Sequence, residues 1–455
     1  MGKNLLLLMV LSVFMQGGTV AQNVQVASLQ ELAVYAAKSG NHVTLRPGHY
    51  KLTDYLNADS VAARLERKSY QYIDFSGSHN TFVMTGVTLE VDTELRRALR
   101  HPIHTSEIVV SGTGNRLEGL EVKHIGNGTS PGGAVFEVSG GGNTVRNFTF
   151  YVQGSFPYGY GDLFGKGGPD VIRHQKKSGF LITGSNTTLQ GVRLYMRSFG
   201  HGFYIQKNAG DIRFEDCYVE GEVRSTDDIL AETSGPAYDV GFRTWTPNRE
   251  GKYVVTPGYM KSLCEDGYRT YGQNRNITFI NCTAKNTRGG FELRTNGGVC
   301  LENCTTIGTE RAYWVGNGAQ VINCRGDAGY GPLLFVEGSN VYVEMEVMPA
   351  ESDRVVHALA TVQGKDNRVI LKPCHRKDRK QALPILIGYT HPEHGEAMSP
   401  YGEGSTLGLV LCNFTSMPVI VGEKAIDCTI ATNGVVTGNK GTRIEVEKAK
   451  RCKKY

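Results

Sequence analysis

The chain has 455 residues, 40% of them hydrophobic and 57 of them glycine, with 49 Lys and Arg against 44 Asp and Glu. That length fits one elongated domain as well as two or three, and the glycine content favours short strands joined by turns over long helices. A net charge of +5 spread along the chain is too diffuse for a nucleic-acid partner but compatible with an acidic glycan.

Residues 1–21 read as a leader, with Lys3 as a positive start, Leu5 to Met15 as an apolar run and Thr19-Val20-Ala21 as a small-residue exit. The mature chain then begins near Gln22, in a secreted or periplasmic protein. No later stretch reaches the roughly 20 apolar residues of a bilayer span, so no membrane span is predicted. Residues 22–79 read as an N-terminal cap and first coils. Ser28 and Glu31 have capping-box spacing for a helix through about Ala37. His42 to Tyr50 follows as strand and turn. Asn57 to Lys68 and Asp92 to Arg100 read as further helical excursions, the second with Arg96, Arg97 and Arg100 on a solvated face.

From Asn80 two strand types alternate. One follows an Asn or Gly turn, as in Asn115 to Val122, Asn143 to Phe150, Asn186 to Leu194, Asp211 to Val219 and Asn276 to Ala284. Cys217, Cys282, Cys304 and Cys324 share one place in this phrase; the last three are spaced by 22 and 20 residues, which marks a repeat architecture. Equivalent cysteines in successive repeats read as small buried residues stacked on one another rather than as a disulfide framework. The seven N-x-T triplets, Asn147, Asn281 and Asn303 among them, read as turn asparagines followed by strand threonines rather than as glycan acceptors.

The second strand type alternates at period 2. Phe136, Phe180, Phe203, Phe291, Tyr313 and Leu334 form one inward column, and Val138, Ile182, Ile205, Leu293, Val315 and Val336 another. Tyr238 to Arg243 reads as the strand between the Phe203 and Phe291 coils. These features predict an all-β fold and resemble the single-stranded right-handed parallel β-helix of the pectate-lyase-like superfamily. The resemblance covers most of residues 80–345 and runs to about 440, ahead of a basic tail at 441–455. It implies a carbohydrate-active protein of the polysaccharide lyase or glycoside hydrolase type.

Function in a stack of coils sits where loops break the period. Insertions are expected at 151–178, 220–236 and 244–275, walling a cleft around the turn Gly200-His201-Gly202. Candidate substrate-binding residues are His174, Arg197, Gln206, Asp227, Asp228, Glu232, Arg243, Glu292, Arg294 and Trp314, the strand positions among them facing outward as a floor for sugar rings.

Gly200-His201-Gly202 ahead of a strand is similar to the Gly-His-Gly of polygalacturonases. In that family an Asp-Asp pair occupies the same turn one coil earlier, where this chain has Lys177-Ser178, so that route to inverting hydrolysis lacks its acid and base. The corner is instead cationic, with Lys177, His201 and Arg288. Together with Tyr204 as an acid, these are the candidate catalytic residues for β-elimination on a uronate-containing polysaccharide. Lyases on this fold often use calcium. No compact Asp-rich calcium motif stands in the sequence, and loops would have to assemble such a site. Two other readings stay open: a glycoside hydrolase drawing a carboxylate pair from Asp227, Asp228, Glu232, Asp239 or Glu292, and a non-catalytic glycan-binding β-helix.

Overall fold

A computed structural model describes residues 22–66, 71–97, 106–130, 132–168, 170–350, 352–374, 382–391 and 401–449. The expected leader and Arg100 lie outside these residues. Among them, no helix is long and apolar enough to cross a membrane.

Parallel strands wind into a right-handed β-helix. One sheet of 13 strands carries the second strand type, and the first type forms the turns of a 23-stranded sheet. The inward column stands in register: Phe136 pairs with Phe180, Phe180 with Phe203, Phe291 with Tyr313 and Tyr313 with Leu334. The Cys217, Cys282, Cys304 and Cys324 thiols are buried and unbridged, each donating to the carbonyl two residues before it at 3.3 to 3.5 Å. Asn147, Asn281 and Asn303 occupy left-handed turn positions with φ of 53°, 54° and 55°, a conformation asparagine tolerates better than most side chains. Inside the first coils, Asn80, Asn115 and Asn143 form a ladder: the Asn80 N–H donates to Asn115 Oδ1 (2.9 Å) and the Asn115 N–H to Asn143 Oδ1 (2.7 Å). These bonds satisfy buried backbone donors where the chain turns.

The cap helix spans Leu29–Ala36, with Ser28 Oγ accepting from the Glu31 N–H. Leu29, Leu32 and Ala36 close the end of the core.

Three features differ from expectation. The Asp92 to Arg100 excursion contains a helix at Glu94–Arg97, but Arg96 is buried, its Nε facing Glu107 at 3.8 Å. Tyr238 to Arg243 is not a strand: Pro236–Asp239 is a short helix and Arg243 follows it in an exposed turn. The coil between Phe203 and Phe291 is built instead on Tyr268, which pairs with both. Its ring stacks between theirs, with centroids 5.0 and 4.6 Å away. Two of the expected insertions therefore belong to one excursion between Glu220 and Tyr268, which carries the antiparallel hairpin Val223–Ser225 with Met260–Ser262. At the other end, Thr442–Lys448 forms a strand paired with Ala425–Thr432.

Candidate active site

Moving the Phe203–Phe291 coil to Tyr268 changes which residues meet at the corner. The phrase "two residues, Gly, aromatic" recurs as Lys177-Ser178-Gly179-Phe180, Gly200-His201-Gly202-Phe203, Glu265-Asp266-Gly267-Tyr268 and Arg288-Gly289-Gly290-Phe291. Backbone bonds stack these turns directly: Gly179 N donates to His201 O (2.8 Å), Gly202 N to Asp266 O (2.9 Å) and Gly267 N to Gly289 O (2.7 Å). The stacking is tight enough to require the glycines. A Cβ on Gly200 would stand 2.4 Å from Lys177 O, and one on Gly202 2.7 Å from Gly267 O. His201 is therefore followed, one coil on, by an acidic pair.

The geometry around His201 follows from that pair. Its Nδ1 lies 3.3 Å from Asp266 Oδ2, and its Nε2 lies 3.1 Å from the Tyr271 hydroxyl and 3.6 Å from Glu265 Oε2. The Tyr204 ring centroid is 5.6 Å from the imidazole. His201, Tyr204, Glu265 and Tyr271 open onto a cleft of about 930 Å³ that is also lined by Arg97, Arg173, His174, Lys176, Ser178 and Gln206, while Asp266 is fully buried beneath it. Glu265 is the one carboxylate in that lining among the described residues. Its Oε1 accepts from Lys176 Nζ at 2.8 Å.

Behind the floor lies a buried ionic lattice. Arg288 grips Asp266 through two nitrogens at 3.1 to 3.2 Å, and Arg311 Nη2 reaches the same carboxylate at 3.2 Å. Arg311 and Arg269 both hold Glu292. Burial alone would raise the Glu265 carboxyl, but the charges of a protonated His201, of Lys176 and of Arg288 outweigh it and hold it at about 2; when His201 is neutral, Lys176 and Arg288 still act in the same direction. Arg288 and Arg311 likewise outweigh burial at Asp266 and keep it well below the usual carboxylate range. Both acids are thus bases or charge partners, not proton donors. Burial and the nearby Glu137 push the Tyr204 phenol up, and burial raises Tyr271, so both remain protonated near neutral pH.

Of the expected catalytic residues, His201 and Tyr204 reach the cleft. Lys177 does not: its ammonium is buried, bonded to Glu107 Oε1 at 2.7 Å, with His124 on the other carboxylate oxygen. Arg288 stands behind the floor, where it fixes the acids. Of the expected binding residues, His174 and Gln206 line the cleft. Glu292 is buried between arginines. Trp314 faces outward as predicted but is covered, 1% exposed, with Arg294 over one face at 4.2 Å and His391 against it. Trp314 and Arg294 are bound together with Glu337, so neither offers a platform to a sugar.

Arg197 is exposed and paired with Glu222 at 2.8 Å. Asp227 is paired with Arg354, and Glu232 with Arg224 at 2.7 Å. Asp228 caps no substrate space; its N–H is held by Ser225 Oγ. Asp227 and Asp228 lie on a helix of the excursion, Thr226–Leu230, and Asp239 ends another. None of Arg197, Asp227, Asp228, Glu232, Asp239, Arg243, Glu292, Arg294 or Trp314 lines the cleft. Sequence reasoning missed Glu265, Asp266 and Tyr271. The signal was present in Glu265-Asp266-Gly267-Tyr268, which repeats the Gly-His-Gly-Phe phrase with acids in the paired positions. Among the described residues, no three His, Cys, Asp or Glu side chains gather as a metal site.

No family model matches the sequence, and no curated protein matches it. Solved structures do align along most of the chain. An alginate lyase is 12% identical at a TM-score of 0.49, covering 95% of this chain and 86% of its own. A PL6 alginate lyase in complex with a trisaccharide is 12% identical at 0.48, covering 94% and 85%. The catalytic domain of a GH87 α-1,3-glucanase in complex with tetrasaccharides is 10% identical at 0.42, covering 94% and 68%. The first two are alginate lyases and the third is a glucanase; the parallel β-helix of this chain is read from its own strand pairing.

Proposed function

We propose that the protein is an exported enzyme that cleaves an acidic, uronate-containing polysaccharide by β-elimination. The observation that carries this reading is the cleft's chemistry: an imidazole beside a buried carboxylate, two phenols next to it, and, among the described residues, a single lining carboxylate that is held ionised. Hydrolysis by paired carboxyl groups needs one that donates a proton to the leaving oxygen. The only carboxylate lining the cleft among the described residues is held ionised. Elimination needs instead a base for the C5 proton, a charge partner for the uronate and an acid for the leaving oxygen.

In this scheme His201 is neutral with its Nδ1 proton on the side of Asp266 Oδ2, 3.3 Å away, and Nε2 exchanges its contact with the Tyr271 hydroxyl for the substrate proton. Nε2 takes the C5 proton, the C5–H electron pair forms the C4–C5 double bond, and the C4–O bond breaks. Tyr204 or Tyr271 returns a proton to the departing oxygen. Arg173 and Lys176 on the cleft wall receive the uronate carboxylate.

The test incubates the mature protein with acidic and neutral polysaccharides and follows reducing ends together with ultraviolet absorbance. New ends with absorbance are expected on an acidic polymer. Ends without absorbance would mean hydrolysis, and affinity without cleavage would mean a binding protein. Export rests on the leader-like residues 1–21; cell fractionation with N-terminal sequencing near Gln22 tests it.

A further inference from the structure

The proposed mechanism uses His201, Asp266 and the phenols, and the lattice behind them also holds an acid contributed by an insertion. Asp162 lies in the insertion between Gln153 and Ser178, and its carboxylate is 3% exposed. Its Oδ1 accepts from Lys261 Nζ at 2.7 Å, and its Oδ2 faces Arg288 Nη1 at 3.3 Å and Lys166 Nζ at 3.7 Å. Arg288 thus spans two carboxylates, with Nε and Nη2 on Asp266 and Nη1 on Asp162. A third, Glu265, waits 3.6 Å from the same Nη1.

We propose that Asp162 is a positioning residue for His201, acting through Arg288 and Asp266. The inference rests on the elimination reading only for its effect on turnover. The guanidinium is planar and its fork is rigid, so holding Nη1 fixes the angle at which Nε and Nη2 meet Asp266. Without the Asp162 charge, Glu265 is the carboxylate left beside Nη1, 3.6 Å away. The fork then turns toward Glu265, draws that carboxylate from Lys176, and releases Asp266 from the plane in which it meets His201 Nδ1. The ring loses the partner that selects its Nδ1–H tautomer, and a ring protonated on Nε2 has no lone pair to offer the cleft.

This placement also ties the cleft wall to the reaction centre. The insertion that carries Asp162 continues into His174 and Lys176, which line the cleft, and its Phe156 pairs with Gln175 through two backbone bonds. The Asp162 carbonyl further accepts from Trp245 Nε1 at 2.6 Å, so both insertions are fastened at one residue.

The experiment uses the full mature chain labelled with ¹⁵N-histidine, with the His201 signals assigned by their loss in H201Q. At a pH where the ring is neutral, the wild type should show one tautomer with Nδ1 protonated. Asp162→Asn should show a mixture of both, with kcat at least about tenfold lower and KM within about twofold, and Asp162→Glu should regain part of each. Arg288→Lys keeps the charge but cannot bridge two carboxylates, so it should reproduce the mixture and decides the matter if Asp162→Asn does not fold. A single unchanged tautomer with wild-type turnover in the folded variant would overturn the proposal. If the wild type cleaves no acidic polymer, the elimination reading fails while the tautomer signal still decides the role of Asp162.

Discussion

His201 Nδ1 and Asp266 Oδ2 lie 3.3 Å apart although the excursion from Gly221 to Gly267 separates their strands in the chain. In space they are neighbours on successive coils, because Gly202 and Gly267 let the two turns stack backbone on backbone. The pair is thus a product of the repeat and not of the loop.

Replacing His201 by alanine removes the only imidazole seen between Asp266 and Tyr271 among the described residues. Turnover is expected to fall by about 10²- to 10⁴-fold, with a melting temperature close to that of the wild type. Unchanged turnover, measured as ultraviolet absorbance on the best acidic substrate, would remove His201 from the mechanism.

Glu265 makes a pH-dependent contribution whose sign is set by its depressed carboxyl. The folded value near 2 lies below the ordinary 4.5. Its stabilisation is therefore present above about pH 4.5 and is lost as pH falls toward 2. Urea midpoints of the wild type and Glu265→Gln should be well separated at neutral pH, draw closer below about pH 4.5 and converge only as pH approaches 2. Midpoints that stay equally far apart across that range would contradict the assignment.

Trp314 offers a clean separation of binding from stability. Because Arg294 and His391 cover it, Trp314→Ala is expected to destabilise by roughly 3 to 5 kcal/mol while leaving KM within about twofold. A large rise in KM with unchanged stability would restore it as a sugar platform.

Tyr268→Ala removes the ring that joins the Phe203 and Phe291 coils and should cost roughly 3 to 5 kcal/mol. Tyr238→Ala, at an exposed position outside the stack, should stay within about 0.5 kcal/mol. Equal effects in denaturant titrations would mean that the coil has been assigned to the wrong tyrosine.

The stack itself was legible because Phe136, Phe180, Phe203, Phe291 and Tyr313 repeat at every coil with a small or turn-forming residue at fixed distance. Burial at period 2 leaves that trace in any strand of three or more residues. The Tyr268 coil escaped because its strand is only Tyr268–Arg269, too short to alternate, whereas Tyr238 to Arg243 alternates without being a strand. Once that coil was misplaced, Glu265 and Asp266 had no neighbours to be read against. Read without them, the corner is cationic, with Lys177 in it. Alternation also states which way Trp314, Glu292 and Lys177 point, but not what covers them. That depends on residues far along the chain, such as His391 over Trp314 and Glu107 under Lys177.

The detour between Glu220 and Tyr268 bears on the order in which the molecule assembles. Loop-closure entropy rises slowly with length, about 0.6 kcal/mol per doubling, so a long excursion between two coils takes little from the final stability. Its penalty falls on rate, since contacts distant in the chain must wait for the loop to close. The coils ahead of Phe203 can stack in sequence as they emerge, while the Tyr268 coil cannot dock until the excursion has folded back. Asp266 would then reach His201 late, and refolding followed by both backbone signal and activity should show the backbone recovering first.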